Sequence, residues 1–116
     1  MKLHYVIKYV ADMNRAVAFY RDTLGFSLRF ESPGWSEFAT GETTLALHPA
    51  SANHPPGTVD LGFTVPDLDA FYQSGASKRI QFSMPPTKQD FGGSLAQFVD
   101  SEGGYCSVGA QQDGAA

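Results

Sequence analysis

One pattern is written twice in this chain of 116 residues. Val10–Met13 reads VADM and Val65–Leu68 reads VPDL; each follows an apolar strand, and in each the aspartate opens a helix carrying a Phe-Tyr pair, Phe19-Tyr20 or Phe71-Tyr72. Further along, Phe30 matches Phe82 and Phe38 matches Phe98. A unit repeated in this way is one supersecondary motif used twice, and each copy reads β-α-β-β-β. The pattern predicts a single α+β domain of two βαβββ modules, at about residues 1–52 and 57–110. Pseudo-twofold symmetry should relate them, with curved mixed sheets forming a concave cavity.

Within the first copy, side chains alternate along Tyr5–Val10, with Tyr5, Ile7 and Tyr9 on one face and Val6 and Val10 on the other. Asp12 suits an N-cap, and Met13, Ala16, Val17, Tyr20 and Leu24 recur at helical spacing until Gly25 stops the helix. Phe26–Glu31 resumes as strand. Gly41-Glu42 reads as a two-residue hairpin loop between Trp35–Thr40 and Thr43–His48, which sets Glu37 opposite Ala46 and Trp35 opposite His48. Trp35, Glu37, Ala46 and His48 then share one face, leaving Phe38, Leu45 and Leu47 to pack against the helix. Pro49–Gly57 has linker composition. In the second copy Val59–Val65 is a strand, Asp67 caps a helix that Ser74-Gly75 weakens early, and Arg79–Met84 is a strand. Pro85–Gly93 is a long loop, and Met84–Gly93 suits either a plain connection or a lid. Leu95–Asp100 and Gly104–Gly109 form a closing hairpin, and Gln111–Ala116 reads as a frayed tail.

Composition narrows the function classes. At 42% hydrophobic residues the chain can support one core, burying roughly 65% of its unfolded surface. A net charge of −4, with eight Lys and Arg scattered, argues against nucleic acid as a partner. No apolar run approaches the roughly 20 residues of a membrane span, and Met1-Lys2-Leu3 leads straight into strand material, so the expectation is a cytoplasmic protein. The single cysteine, Cys106, can form no internal disulfide and reads as structural.

With AFYRDTLGF, EFATGETTLALHP and the closing F-x-D hairpin on its two copies, the chain resembles the vicinal oxygen chelate superfamily, which includes glyoxalase I, extradiol dioxygenases and bleomycin-type antibiotic-binding proteins. The resemblance covers essentially the whole chain and implies a metal site of His, Glu or Gln ligands on the inner strands. The matching positions here are Tyr5, Ala46, Asp60 and either Ser107 or Val108, of which only Asp60 is a metal-ligand type. One carboxylate does not hold a divalent ion, so the expectation is no metal and no other cofactor. A relocated site from Glu37, His48 and Asp60 is the metalloenzyme alternative. The repeat offset aligns Tyr5 with Asp60, so a phenol facing a carboxylate replaces the symmetric ligand pair.

Two function classes follow. The first is a small-molecule-binding protein, for which the resemblance implies a homodimer that sequesters a partly aromatic ligand, as antibiotic-resistance proteins of this scaffold do. Tyr5, Tyr9, Trp35 and Phe91 would be its walls and Glu37, His48 and Asp60 its polar anchors, the acidic pair favouring a cationic or hydrogen-bond-donating ligand. The second is a glyoxalase-like lyase or isomerase, or a dioxygenase-type enzyme. Its metal-free form would use Asp60 or His48 as general base with Tyr5 as proton donor. Strand alternation points His4 away from the cavity, and His54, in the Pro-rich stretch, is expected to be solvated.

Overall fold

The computed structural model describes residues 1–90 and 92–111, and these divide into two compact units. His4–Asp60 is one; Met1–Leu3 joins the chain from Leu61 onward in the other. Each is a βαβββ module of the α+β class. The first contains β1 (Lys2–Val10), α1 (Met13–Ala18) running on as a π-helical turn (Phe19–Thr23), β2 (Ser27–Phe30), β3 (Ser36–Ala39) and β4 (Thr44–Pro49). The second contains β5 (Val59–Val65), α2 (Leu68–Ser77), β6 (Gln81–Lys88), β7 (Ser94–Val99) and β8 (Tyr105–Ala110). Strand order is β2-β3-β4-β1 in one and β6-β7-β8-β5 in the other, and in each the first strand runs parallel to the last. No helix of the described residues is long and apolar enough to cross a membrane.

Both aspartates of the repeat cap their helices. Asp12 accepts from the Arg15 amide at 3.1 Å and Asp67 from that of Ala70 at 3.0 Å, satisfying amides that have no partner within the helix. Helix α1 packs its apolar side on the sheet, where Val17, Phe38 and Leu47 form a buried cluster flanked by Val10, Met13, Tyr20 and Leu28. The hairpin register places Glu37 opposite Ala46 and Phe38 opposite Leu45, as the two-residue loop requires. In the second unit Val65, Leu68, Ala96 and Val108 are buried beneath Phe63, Phe71, Phe82 and Phe98.

Tertiary contacts overrule local propensity in several places. Helix α2 does not weaken at Ser74-Gly75 but continues to Ser77, because Gly75 is a packing residue: a Cβ built there would lie 2.8 Å from Phe82 Cε2. It closes with the Ile80 amide donating to Gly75 O at 3.0 Å, which leaves Arg79 in the left-handed region at φ 62°. Met84–Gly93 is less of a loop than its prolines suggest. Strand β6 runs through Pro85 and Pro86 to Lys88; as the outermost strand of its unit's order it needs no partner for their missing amides, and register shifts against β7 absorb them. Helix α1, read through to Leu24, becomes π-helical from Phe19, with the Leu24 amide bonded to Phe19 O at 3.1 Å. Phe91 and the tail beyond Gln111 lie outside the described residues.

Candidate functional site

Cross-strand partners in a sheet share a face, so the register fixes what the first sheet presents on the side opposite α1. Tyr5 stands beside Thr44, Ile7 beside Ala46 and Tyr9 beside His48, while Glu37 stands beside Ala46. On that face the rings form a row. Tyr5 lies 5.7 Å from Trp35 between centroids, Trp35 lies 6.3 Å from His48, and His48 lies 5.2 Å from Tyr9. The row ends on His54, stacked on Tyr9 at 4.3 Å and 21°. His4 meets this row only through an edge contact with Tyr5.

His54 is not a solvated linker residue. Ser51 and His54 exchange two backbone hydrogen bonds that turn the Pro-rich segment back, and Tyr9 bonds Gly57 and Thr58 through its own carbonyl and amide, each at 2.9 Å. The segment is thereby clamped across Tyr9, and His54 Nε2 comes to 3.3 Å from Asp60 Oδ2. Sequence spacing could not disclose this, because a turn's return direction depends on partners outside it. The histidine next to a Pro-Pro-Gly bend was the available hint.

Each acid of the site has partners within the protein. Asp60, whose side chain is 20% exposed, accepts from Tyr9 Oη at 2.7 Å as well as facing His54. The phenol that meets Asp60 is therefore Tyr9, not Tyr5: the repeat aligns Tyr5 with Asp60 in sequence, but the hydrogen bond falls four residues further along β1. Glu37 is 18% exposed; its Oε2 accepts from the Trp35 indole at 2.7 Å, and Oε1 lies 3.7 Å from Arg29. Burial, the Asp60 hydrogen bond and the Asp60 charge push the Tyr9 hydroxyl far above its ordinary range. Burial raises Tyr5 as well, with Glu37 adding to the rise and Arg29 opposing it. Both phenols are thus donors at neutral pH. His48 is exposed, and its Nδ1 lies 2.8 Å from Pro49 O; a carbonyl only accepts, so Nδ1 carries a proton.

Of the positions at which the resemblance would place metal ligands, Tyr5, Ala46, Asp60 and either Ser107 or Val108, only Asp60 is a metal-ligand type. Ala46 and Val108 are fully buried and offer no donor atom, the Tyr5 phenol is held protonated, and Asp60 Oδ2 is already held by Tyr9 and His54. The relocated set fares no better, since Glu37 is engaged by Trp35 and Arg29, and no three His, Cys, Asp or Glu side chains converge among the described residues. In the second unit a groove of about 560 Å³ is lined by Tyr72, Gln73, Ala76, Ile80 and Phe82 and brings no charged group together. Cys106 is buried.

The sequence profile of the Glyoxalase/Bleomycin resistance protein/Dioxygenase superfamily matches residues 2–105. Among solved structures, NAD-dependent benzaldehyde dehydrogenase from Legionella pneumophila is 23% identical, with 93% of this chain and 98% of that one covered at a TM-score of 0.74. Methylmalonyl-CoA epimerase from Mycobacterium tuberculosis is 18% identical over 96% and 88% of the two chains, also at 0.74. A member of the same superfamily from Vibrio splendidus 12B01 is 19% identical over 91% and 95%, at 0.64. At such identities the likeness is one of fold. No functionally curated protein matches the sequence.

Proposed function

The chain belongs to the Glyoxalase/Bleomycin resistance protein/Dioxygenase superfamily, and from that premise we propose that it is a small-molecule-binding protein taking a flat, partly aromatic ligand without a metal. The observation that carries this reading is the row Tyr5, Trp35, His48, Tyr9 and His54 on the side of the sheet opposite α1. Rings set at angles from stacked to edge-on present both hydrogen-bearing edges and π faces, which suits a planar guest better than an aliphatic one. Internal partners for Asp60 and Glu37 keep that wall in place without leaving a bare charge against an apolar ligand. A row of rings supplies one wall; we propose a second copy of the chain for the other, as a homodimer.

Trp35 is the sole tryptophan and stands within the row, so its fluorescence reports occupancy. Saturable quenching by members of a panel of aromatic antibiotics and 2-oxo compounds, unchanged by chelator and weakened by Tyr5→Ala or His48→Ala, is the expected result. Absence of saturable quenching by every aromatic member would refute the proposal, and sedimentation as a monomer with ligand bound would remove the dimer from it. A second reading, metal-free proton transfer, is favoured by the Tyr9–Asp60–His54 cluster and by the exposed imidazole of His48. Turnover of any panel compound that Asp60→Asn abolishes while quenching persists would establish that reading in place of sequestration.

A further inference from the structure

Strand β2 carries an irregularity that no residue pattern announces. Leu28 stands opposite Phe38, and both belong to the cluster beneath α1; the next pair is Phe30 opposite Glu37. Arg29 is therefore an extra residue, a β-bulge. In an unbroken register Arg29 would face Glu37, and Phe30 would face Ser36 on the helix side. The bulge instead brings Phe30 level with Glu37, on the ring face. Arg29 turns to that face too: its NH1 donates to Thr44 Oγ1 at 3.1 Å and lies 3.7 Å from Glu37 Oε1. Phe30 remains 53% exposed and the Arg29 side chain 49% exposed. A large apolar ring and a guanidinium are thus both held half out of the protein, at the end of the row that Tyr5 and Trp35 occupy.

Resting on the aromatic-ligand reading above, we infer that this edge is a carboxylate subsite and that the ligand is a flat aromatic acid. Its carboxylate takes the Nε and NH2 side of Arg29, which has no partner among the described residues, while its ring lies against Phe30, Trp35 and Tyr5. A planar guanidinium matches a carboxylate through two parallel hydrogen bonds, and those bonds are strong because both partners are charged. Glu37 does not block this edge, since Oε2 is tied to the Trp35 indole and Oε1 lies toward NH1. It does reduce the local net charge, so selectivity arises from the geometry of the fork rather than from long-range attraction. The two carboxylates that the sequence suggests as cation anchors are already partnered, which removes the case for a cationic ligand.

The test compares three compounds with one ring system and different head groups, 2-naphthoate, 2-naphthalenemethanol and 2-naphthylmethylamine, by calorimetry on the full chain at pH 7.5. The acid should bind roughly tenfold or more tighter than the alcohol, the ratio expected of a charge-assisted bidentate contact. Arg29→Gln should abolish that ratio by weakening the acid far more than the alcohol, and Arg29→Lys should restore only part of it. Phe30→Ser, at an exposed position, should weaken all three alike, and circular dichroism confirms that each variant is folded. Tightest binding of the amine, or an equal loss for all three compounds in Arg29→Gln, overturns the subsite. If the alcohol binds and the acid gains nothing, or if none of the three binds, this inference fails; if in addition no aromatic member of the panel quenches Trp35, the aromatic-ligand reading fails with it.

Discussion

Replacing Tyr9 by phenylalanine removes one oxygen and keeps the ring, so it isolates the Tyr9–Asp60 hydrogen bond. That bond is 2.7 Å long, its donor residue is 8% exposed and its acceptor is a carboxylate, a class worth about 1.5–3 kcal/mol. Asp60 keeps His54 at 3.3 Å and is 20% exposed, so water can partly replace the phenol. The lower end applies, and Tyr9→Phe should cost about 1.5 kcal/mol at pH 7. The pH dependence is more diagnostic. The folded Tyr9 hydroxyl titrates well above 10.0, its ordinary value and the one it regains on unfolding. Between those two values the native state holds a proton that the unfolded state has released, so stability contributed by Tyr9 is complete below pH 10 and declines as pH rises. The decline is about 1.4 kcal/mol per pH unit, so the deficit of Tyr9→Phe relative to wild type should shrink from about 1.5 kcal/mol at pH 8 to nearly nothing at pH 11. Urea unfolding followed by far-ultraviolet circular dichroism at each pH measures it, and other groups that titrate in this range cancel in the difference. A deficit that stays constant from pH 8 to 11, or one below about 0.5 kcal/mol at pH 7, would show that the Tyr9–Asp60 bond does not hold the site.

Arg79→Gly should raise stability by about 0.5–1 kcal/mol, because a non-glycine residue at φ 62° on the helix C′ position carries a left-handed penalty; a lower thermal midpoint would refute it. Gly75→Ala should lower stability despite alanine's roughly 1 kcal/mol helix advantage, since its Cβ would meet Phe82 Cε2 at 2.8 Å and Cζ at 2.9 Å, and Phe82→Leu should relieve part of the loss in the double variant. Phe38→Ala, truncating a fully buried ring beneath α1, should cost about 3–5 kcal/mol in chemical denaturation; a loss under about 1 kcal/mol would mean that the Val17–Phe38–Leu47 cluster is not the core of its unit.

What the residues alone determined is whatever depends on neighbours close in sequence. The doubled strand–Asp–helix pattern yielded two βαβββ modules, Asp12 and Asp67 cap as their types predict, and the Gly41-Glu42 loop set the β3–β4 register, because a two-residue turn leaves only one pairing. From that register the shared face of Trp35, Glu37, Ala46 and His48 followed by simple alternation, while the parallel β1–β4 pairing that brings Tyr5 and Tyr9 onto it is a long-range contact seen in the structure. Tertiary structure decided what depends on partners far apart in the chain. It chose Tyr9 over Tyr5 for Asp60, folded His54 back onto Tyr9 through backbone bonds at Gly57 and Thr58, and carried β6 through two prolines on an edge strand. It also inserted the bulge that turned Arg29 and Phe30 onto the ring face. Alternation assigns a side to every residue of an uninterrupted strand; a bulge, a returning loop and an edge are set by long-range pairing, and each changed the chemistry of the face that alternation had already identified.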